Sequence, residues 1–343
     1  MSLKFLDNIS GKSSLTLLLS SCLFMSAASA ATQSSVNTGR ANCGSLANQA
    51  NTEITYFQVP MQKQWIKNQK AISDKEYAKY FSQTLVAPKS MVKALENGPL
   101  PKKWVIEPTV EGLNKVIETF DKAPVAGYAL IENGPLAYAQ SRHVFPGLTS
   151  SMLEWWFTWH PIESERYMLW FPQAHIHNSV ADPQRLSNKN LSYAERLYKN
   201  PNHIIEYIGA NYLDSYIHFD TPESLGIDGA ALKKAGFTFS ASGIIAPAGD
   251  EDAPFVLMVH LGRDTPQGLE LINRYWIGTH ASFDRFPSFP NGAKRSAEVV
   301  KKFGLDAKSL EEFAHEMAVH DMTEFTCLGN ILPNMYKEYG KGK

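Results

Sequence analysis

A chain of 343 residues, 44% hydrophobic and 20% charged, can bury a sizeable core and does not have the composition of an intrinsically disordered protein. Its 33 basic and 34 acidic side chains nearly cancel, which argues against nucleic acid as a partner because no basic excess is left to neutralise phosphates. An aromatic content of 11% and ten histidines suggest instead an aromatic-lined site with imidazole chemistry.

Lys4 and Lys12 precede an apolar run at 15–25, which leads into Ala28-Ser29-Ala30, small residues of the kind a signal peptidase cuts after. Residues 1–30 are therefore expected to be a signal peptide, with Ala31 as the mature start and a periplasmic or secreted destination. The run is far shorter than the ~20 residues of a spanning helix, and no later stretch is long and apolar enough to be one. The alternative is a lipoprotein modified at Cys22, against which the apolar Leu23, Phe24 and Met25 argue. In an oxidising compartment Cys43 and Cys327 could pair, and the sequence leaves open whether they form a disulfide.

Residues 31–51, rich in Ser, Thr, Asn and Gln, read as a flexible leader. Residues 52–150 read as a mostly helical amino-terminal section: helical spacing at 74–81, 89–97 and 109–120 is broken by Gly98-Pro99-Leu100-Pro101 and Glu107-Pro108. From 151 the pattern changes. Segments 152–159 and 166–171 are dense in aromatic residues, and 204–219, 237–246, 255–261 and 269–277 look like strands. Turns at 249–252 and 265–268 make the last three an antiparallel meander. Helical spacing at 309–325 follows. The expected class is α+β, with residues 151–343 forming a helix-grip domain in which a curved antiparallel sheet grips a long terminal helix.

On that helix His320 and Glu324 are four apart and share a face, a spacing that suits two ligands of one ion and equally a half-buried histidine beside solvated carboxylates. Glu316 lies one turn earlier. His315 precedes His320 by five residues, so the two imidazoles diverge by about 140° and His315 is expected to be structural or solvent-facing. In Pro172-Gln-Ala-His175-Ile-His177-Asn178, a helix would put His175 and Asn178 on one face, whereas a strand would pair His175 with His177 and exclude Asn178. Glu206 sits in an apolar strand and must be paired, protonated, metal-bound or turned to water. His260 is either a satisfied core imidazole or part of a site. Tyr167 and Tyr275 would ordinarily pass as packing residues, as would Trp155, Trp156, Trp159 and Phe171, which are also candidates for a pocket wall. Dinucleotide, phosphate-loop and nucleophile-elbow motifs are absent from the sequence. Two histidines and two carboxylates suit Zn2+, with Fe2+ or Mn2+ as alternatives.

The order Arg166-Tyr167, Pro172-xx-His175-xx-Asn178, Glu206-Tyr-Ile-Gly209, Val259-His260-Leu, Arg274-Tyr275-Trp and His320-xxx-Glu324 resembles the 2,4-diacetylphloroglucinol and phloretin hydrolase family. The likeness runs from about Glu154 to the end of the terminal helix. It implies His175, Glu206, His320 and Glu324 as zinc ligands, one ion per chain. Tyr167, Asn178 and Tyr275 would hold the ring hydroxyls of a substrate, and His260 would be a catalytic or orienting histidine beside Tyr275. The implied reaction is hydrolysis of the carbon–carbon bond between an acyl group and a polyhydroxylated aromatic ring, that is, hydrolysis of a ketone. The implied partner is a small aromatic ketone, and a homodimer is an open alternative to a monomer. Two rival readings use the same residues: a non-catalytic periplasmic carrier of aromatic or apolar ligands, and a non-heme iron oxygenase.

Overall fold

The computed structural model describes residues 50–131 and 134–340. The expected signal peptide, Cys22, Cys43 and nearly all of the expected leader lie outside these residues. Eleven strands are found among the described residues: β1 (Asn51–Ile54), β2 (Leu85–Pro88), β3 (Ala126–Ile131), β4 (Leu136–Phe145), β5 (His175–Val180), β6 (Asn202–Ile208), β7 (Asn211–Phe219), β8 (Phe239–Ser240), β9 (Gly243–Pro247), β10 (Val256–Thr265) and β11 (Gly268–Gly278). The strands β1 and β2 form a small sheet of their own. The others form one nine-stranded sheet of order β3-β4-β11-β10-β9-β7-β6-β5, with β8 paired to β10, and every pairing is antiparallel.

Helices α1 (Val59–Ala71), α2 (Lys89–Glu96) and α3 (Val110–Thr119) precede this sheet. Within it fall α4 (Ser150–Trp159), α5 (Ser164–Met168), α6 (Pro183–Ser187), α7 (Tyr193–Leu197) and α8 (Gly229–Lys234). After it come α9 (Gly292–Lys302) and the 29-residue α10 (Ala307–Met335). The start of α10 is fixed by a capping box in which Asp306 accepts from the Ser309 amide at 2.8 Å and Ser309 Oγ accepts from the Asp306 amide. No helix among the described residues is long and apolar enough to cross a membrane.

The sheet is covered on both faces. One apolar core joins Ile204, Phe219, Met258 and Tyr275 to Leu310, Met317, Phe325 and Leu328 of α10. A second, on the opposite face, joins Leu257, Val259, Ile272 and Trp276 to Leu113 of α3, Leu232 of α8 and Phe283, Phe286 and Phe289. Burial on both faces explains why β10 opens on the unbroken apolar run 256–259 and why β11 is buried almost throughout, Glu270, Asn273 and Arg274 included.

The structure departs from the sequence expectation in the section 52–150. That section does carry α1 to α3, but β3 and β4 belong to the main sheet, so the sheet begins well before 151. Both strands are rich in alanine, a weak strand former, and their signal was masked by the helical pattern before them. Asn133-Gly134 between them is a hairpin-type dipeptide that could have revealed the pair. The expected strand at 204–219 is two strands around Gly209. Its φ of +59° suits glycine, and a Cβ there would meet Glu316 Oε2 at 2.6 Å.

Candidate active site

Strand β6 alternates buried and half-buried residues, with Asn202, Ile204, Glu206 and Ile208 turned to the α10 side and His203, Ile205 and Tyr207 turned away. Glu206 therefore points inward and not to water. Its neighbour β5 pairs His175 with Glu206 but His177 with Ile205 and Asn178 with Ile204, a one-residue bulge at Ile176. The bulge reverses the facing expected of a regular strand: His175 and Asn178 share the buried face, and His177 turns away to Ser164 and Ser179.

From the other side α10 supplies His320 and Glu324, one turn apart. His175 Nε2 lies 3.3 Å from both Glu206 Oε2 and Glu324 Oε2, and His320 Nε2 lies 3.7 Å and 3.6 Å from the same two oxygens. The donor atoms of His175, His320 and Glu324 all fall within 4.8 Å of one another. All four side chains are buried. His315 is not part of the cluster; its ring meets Tyr128 edge-on at 4.8 Å. Glu316 stays at the Gly209 turn.

Three observations fit a divalent cation between these groups. The cavity lining contains two carboxylates and no Lys or Arg, so their charge has no cationic side chain to balance it. Burial pushes the carboxyl groups of Glu324, well above the usual carboxylate range, and of Glu206 upward, which a cation would reverse. His175 Nδ1 donates to the Tyr167 carbonyl at 3.0 Å, leaving Nε2 buried, unpartnered and aimed at the carboxylates. Holding one ring nitrogen by a carbonyl is the usual way a metal-binding histidine is oriented. The donor set, two nitrogens and two oxygens, is one that zinc accepts.

Above this cluster the cavity is walled by Phe157, Trp170, Ile217, Phe219, Ile245 and Met258. The wall therefore comes from other aromatics than those singled out in the sequence. Trp155 and Trp159 stack on each other at 4.9 Å, Trp156 stacks on His160, and Phe171 packs on His320 at 4.8 Å. Polar groups reach the cavity from three directions. The Tyr167 hydroxyl donates to Glu206 Oε2 at 2.6 Å. The Tyr275 hydroxyl donates to Asp321 Oδ2 at 2.7 Å. The Asn178 amide nitrogen lies 3.3 Å from His160 Nε2, while His160 Nδ1 donates to the Trp156 carbonyl at 2.7 Å, so Nε2 is the acceptor. This leaves Asn178 Oδ1 buried without a partner. Burial drives His160 down to about 3 and His260 to about 4, so both are neutral at neutral pH. With their hydroxyl protons committed, Tyr167 and Tyr275 offer a ligand oxygen acceptors, as does Asn178 through Oδ1.

His160, Asn202, Asn273 and Asp321 were not found by sequence reasoning. Asn202 had a findable signal, because it lies two and four residues before Ile204 and Glu206 on the same strand face. Asp321 had none, since a carboxylate beside His320 on an acidic helix looks like a solvated one.

An α+β fold with a buried two-histidine, two-carboxylate cluster at the base of an aromatic cavity defines a small-ligand site with the donor set of a metal centre. The DAPG hydrolase PhiG domain family matches residues 106–337, and the chain belongs to that family. It is 43% identical over 289 residues to a 2,4-diacetylphloroglucinol hydrolase of Pseudomonas protegens, covering 84% of this chain and 92% of the relative. A phloretin hydrolase of Eubacterium ramulus is 25% identical over 267 residues, covering 76% of this chain and 89% of the relative. Among solved structures, Ara h 8.0201 aligns with 52% of this chain and 97% of its own, at 10% identity and a TM-score of 0.26.

Proposed function

We propose that this chain is a zinc-dependent hydrolase that cleaves the carbon–carbon bond between an acyl group and a polyhydroxylated aromatic ring, with an acylphloroglucinol or phloretin-like ketone as substrate. The names of the relatives support the reaction class. The observation that carries the substrate class is the unpartnered Asn178 Oδ1, set in a cavity where Tyr167 and Tyr275 also present acceptor oxygens. Such a lining favours a ring bearing several free hydroxyl donors, and a buried acceptor left unmatched by a ligand lacking them costs about 1–3 kcal/mol.

His175, Glu206, His320 and Glu324 would hold the ion, which when bound supplies Lewis acidity at the acyl oxygen and lowers the pKa of water towards 7. Tyr167, Asn178 and Tyr275 would fix the ring through its hydroxyls, and His260 would move the proton. An aryl–acyl bond does not break to a free ring carbanion. The ring must first become its keto tautomer, so that the ring carbon leaves with its electron pair delocalised as an enolate. Net, one water is consumed: its hydroxyl ends on the acyl carbon as a carboxylic acid, and its proton replaces the acyl group in the proton count of the ring, which regains all its hydroxyls and one C–H. We further propose that the fold is of the helix-grip kind and that residues 1–30 direct export.

The test is incubation of the full chain with 2,4-diacetylphloroglucinol and with phloretin, before and after chelation and zinc restoration. Release of acetate or an arylpropionate that chelation abolishes and zinc restores is expected. Ligand bound but recovered unchanged would make the protein a carrier, and turnover only with oxygen and iron would make it an oxygenase.

A further inference from the structure

The turn of α10 that carries His320 also carries Asp321, fully buried and facing β4 and β11 instead of the metal cluster. Its carboxylate takes donors from side chains on both of those strands. The Tyr275 hydroxyl reaches Oδ2 at 2.7 Å, Asn273 Nδ2 reaches Oδ2 at 2.8 Å, and His143 Nε2 reaches Oδ1 at 3.1 Å. A carboxylate can only accept, so it settles which end of the Asn273 amide faces it. The amide nitrogen points at Asp321, with Ser141 Oγ also at 3.2 Å, and the amide oxygen is turned to His260 Nδ1 at 2.7 Å. That oxygen can only accept, so Nδ1 must carry the proton. His260 lines the cavity, and Nε2, with its lone pair, is the ring nitrogen left for it.

We propose that Asp321 is a positioning residue: through Asn273 it fixes His260 as the Nδ1–H tautomer, and directly it holds the Tyr275 hydroxyl proton away from the ligand, so that the phenol oxygen faces it as an acceptor. The inference rests on the reaction proposed above and adds the direction of proton flow. His260 Nε2 accepts the proton of a ring hydroxyl, and the O–H electron pair becomes the ring carbonyl. The protonated imidazole then returns the proton to the ring carbon bearing the acyl group, which yields the keto tautomer. No electrons are gained or lost and His260 ends as it began. In the opposite tautomer Nε2–H would be a donor and could not take the first proton.

Asp321→Asn should break this chain of orientation, because an amide at 321 competes as a donor with Asn273 and allows it to flip. The expected result is a kcat lower by about 10²-fold, with KM within about threefold and zinc content unchanged. The double variant Asp321→Asn with Asn273→Asp puts a carboxylate against His260 Nδ1 and an amide donor behind it, and should recover at least tenfold of the lost kcat. An unchanged kcat in the single variant, or no recovery in the double, overturns the proposal. Nitrogen-15 NMR of the zinc-loaded wild-type protein reads the tautomer without turnover: Nδ1–H at His260 is expected, and Nε2–H overturns the proposal whatever the substrate. A chain that shows the Nδ1–H tautomer but hydrolyses no aryl ketone would overturn the proposed reaction and leave the positioning role standing.

Discussion

His320 Nε2 stands within 3.7 Å of two carboxylate oxygens that no Lys or Arg of the cavity lining neutralises, so removing either end of that arrangement should empty the site. Zinc measured by mass spectrometry after dialysis should fall at least tenfold in His320→Ala and in Glu324→Ala, and should be unchanged in His315→Ala, whose ring rests on Tyr128. Equal loss in all three would mean that the helix face has been assigned wrongly. Asn178→Leu should retain zinc and raise KM for a polyhydroxylated ketone about tenfold, the worth of one hydrogen bond to a buried acceptor; an unchanged KM would remove Asn178 from the binding surface. At this scale the i, i+4 spacing of His320 and Glu324 was legible because helical periodicity is rigid. The pairing of His175 with Asn178 was legible only as one of two outcomes, because a bulge has no reliable residue signature. Asp321 was invisible, since its meaning comes from Tyr275, Asn273 and His143, which the chain brings to it from afar.

Among the elements, the β6–β7 hairpin matters most, because it sets the register that carries Glu206 into the cluster. Its turn depends on Gly209 at φ +59°, where a side chain costs about 1–2 kcal/mol, while the Glu316 carboxylate against it is the movable end of a flexible chain. Gly209→Ala should lower unfolding stability by about that amount, read as a shift in the denaturant midpoint at constant slope; no shift would mean the turn tolerates alanine. Helix α10 was legible in advance through its apolar spacing, although its carboxyl-terminal turns extend ten residues beyond the expected end. The hairpin β3–β4 was not, because Ala126, Ala129, Ala137 and Ala139 pack in a closely covered sheet where small side chains suffice, and alanine favours helix on propensity alone. Propensity lost there to tertiary packing.

At the scale of the whole molecule, the cavity is cut into the layer between sheet and α10, so the fold holds neutral imidazoles in its interior and acid should act against it. His260 is buried facing Asp321, His143 and Tyr275, and His160 is buried facing Arg166, Trp156 and Tyr167; burial lowers them to about 4 and about 3. In the unfolded chain both return to about 6.5, so between pH 6.5 and 4 the unfolded state binds protons that the folded state does not. The contribution of these two histidines to stability is therefore full above pH 6.5 and declines as pH falls, by about 2 kcal/mol per histidine at pH 5. Denaturant titrations at pH 7 and pH 5 should show a loss in His260→Gln that is smaller than in the wild-type chain by about 2 kcal/mol, because glutamine does not titrate. The comparison is made between the two pH values within each variant, so the packing change caused by the substitution itself cancels. A loss in His260→Gln as large as in the wild-type chain would mean that His260 is protonated inside the fold, and would take with it the neutral base that faces the cavity.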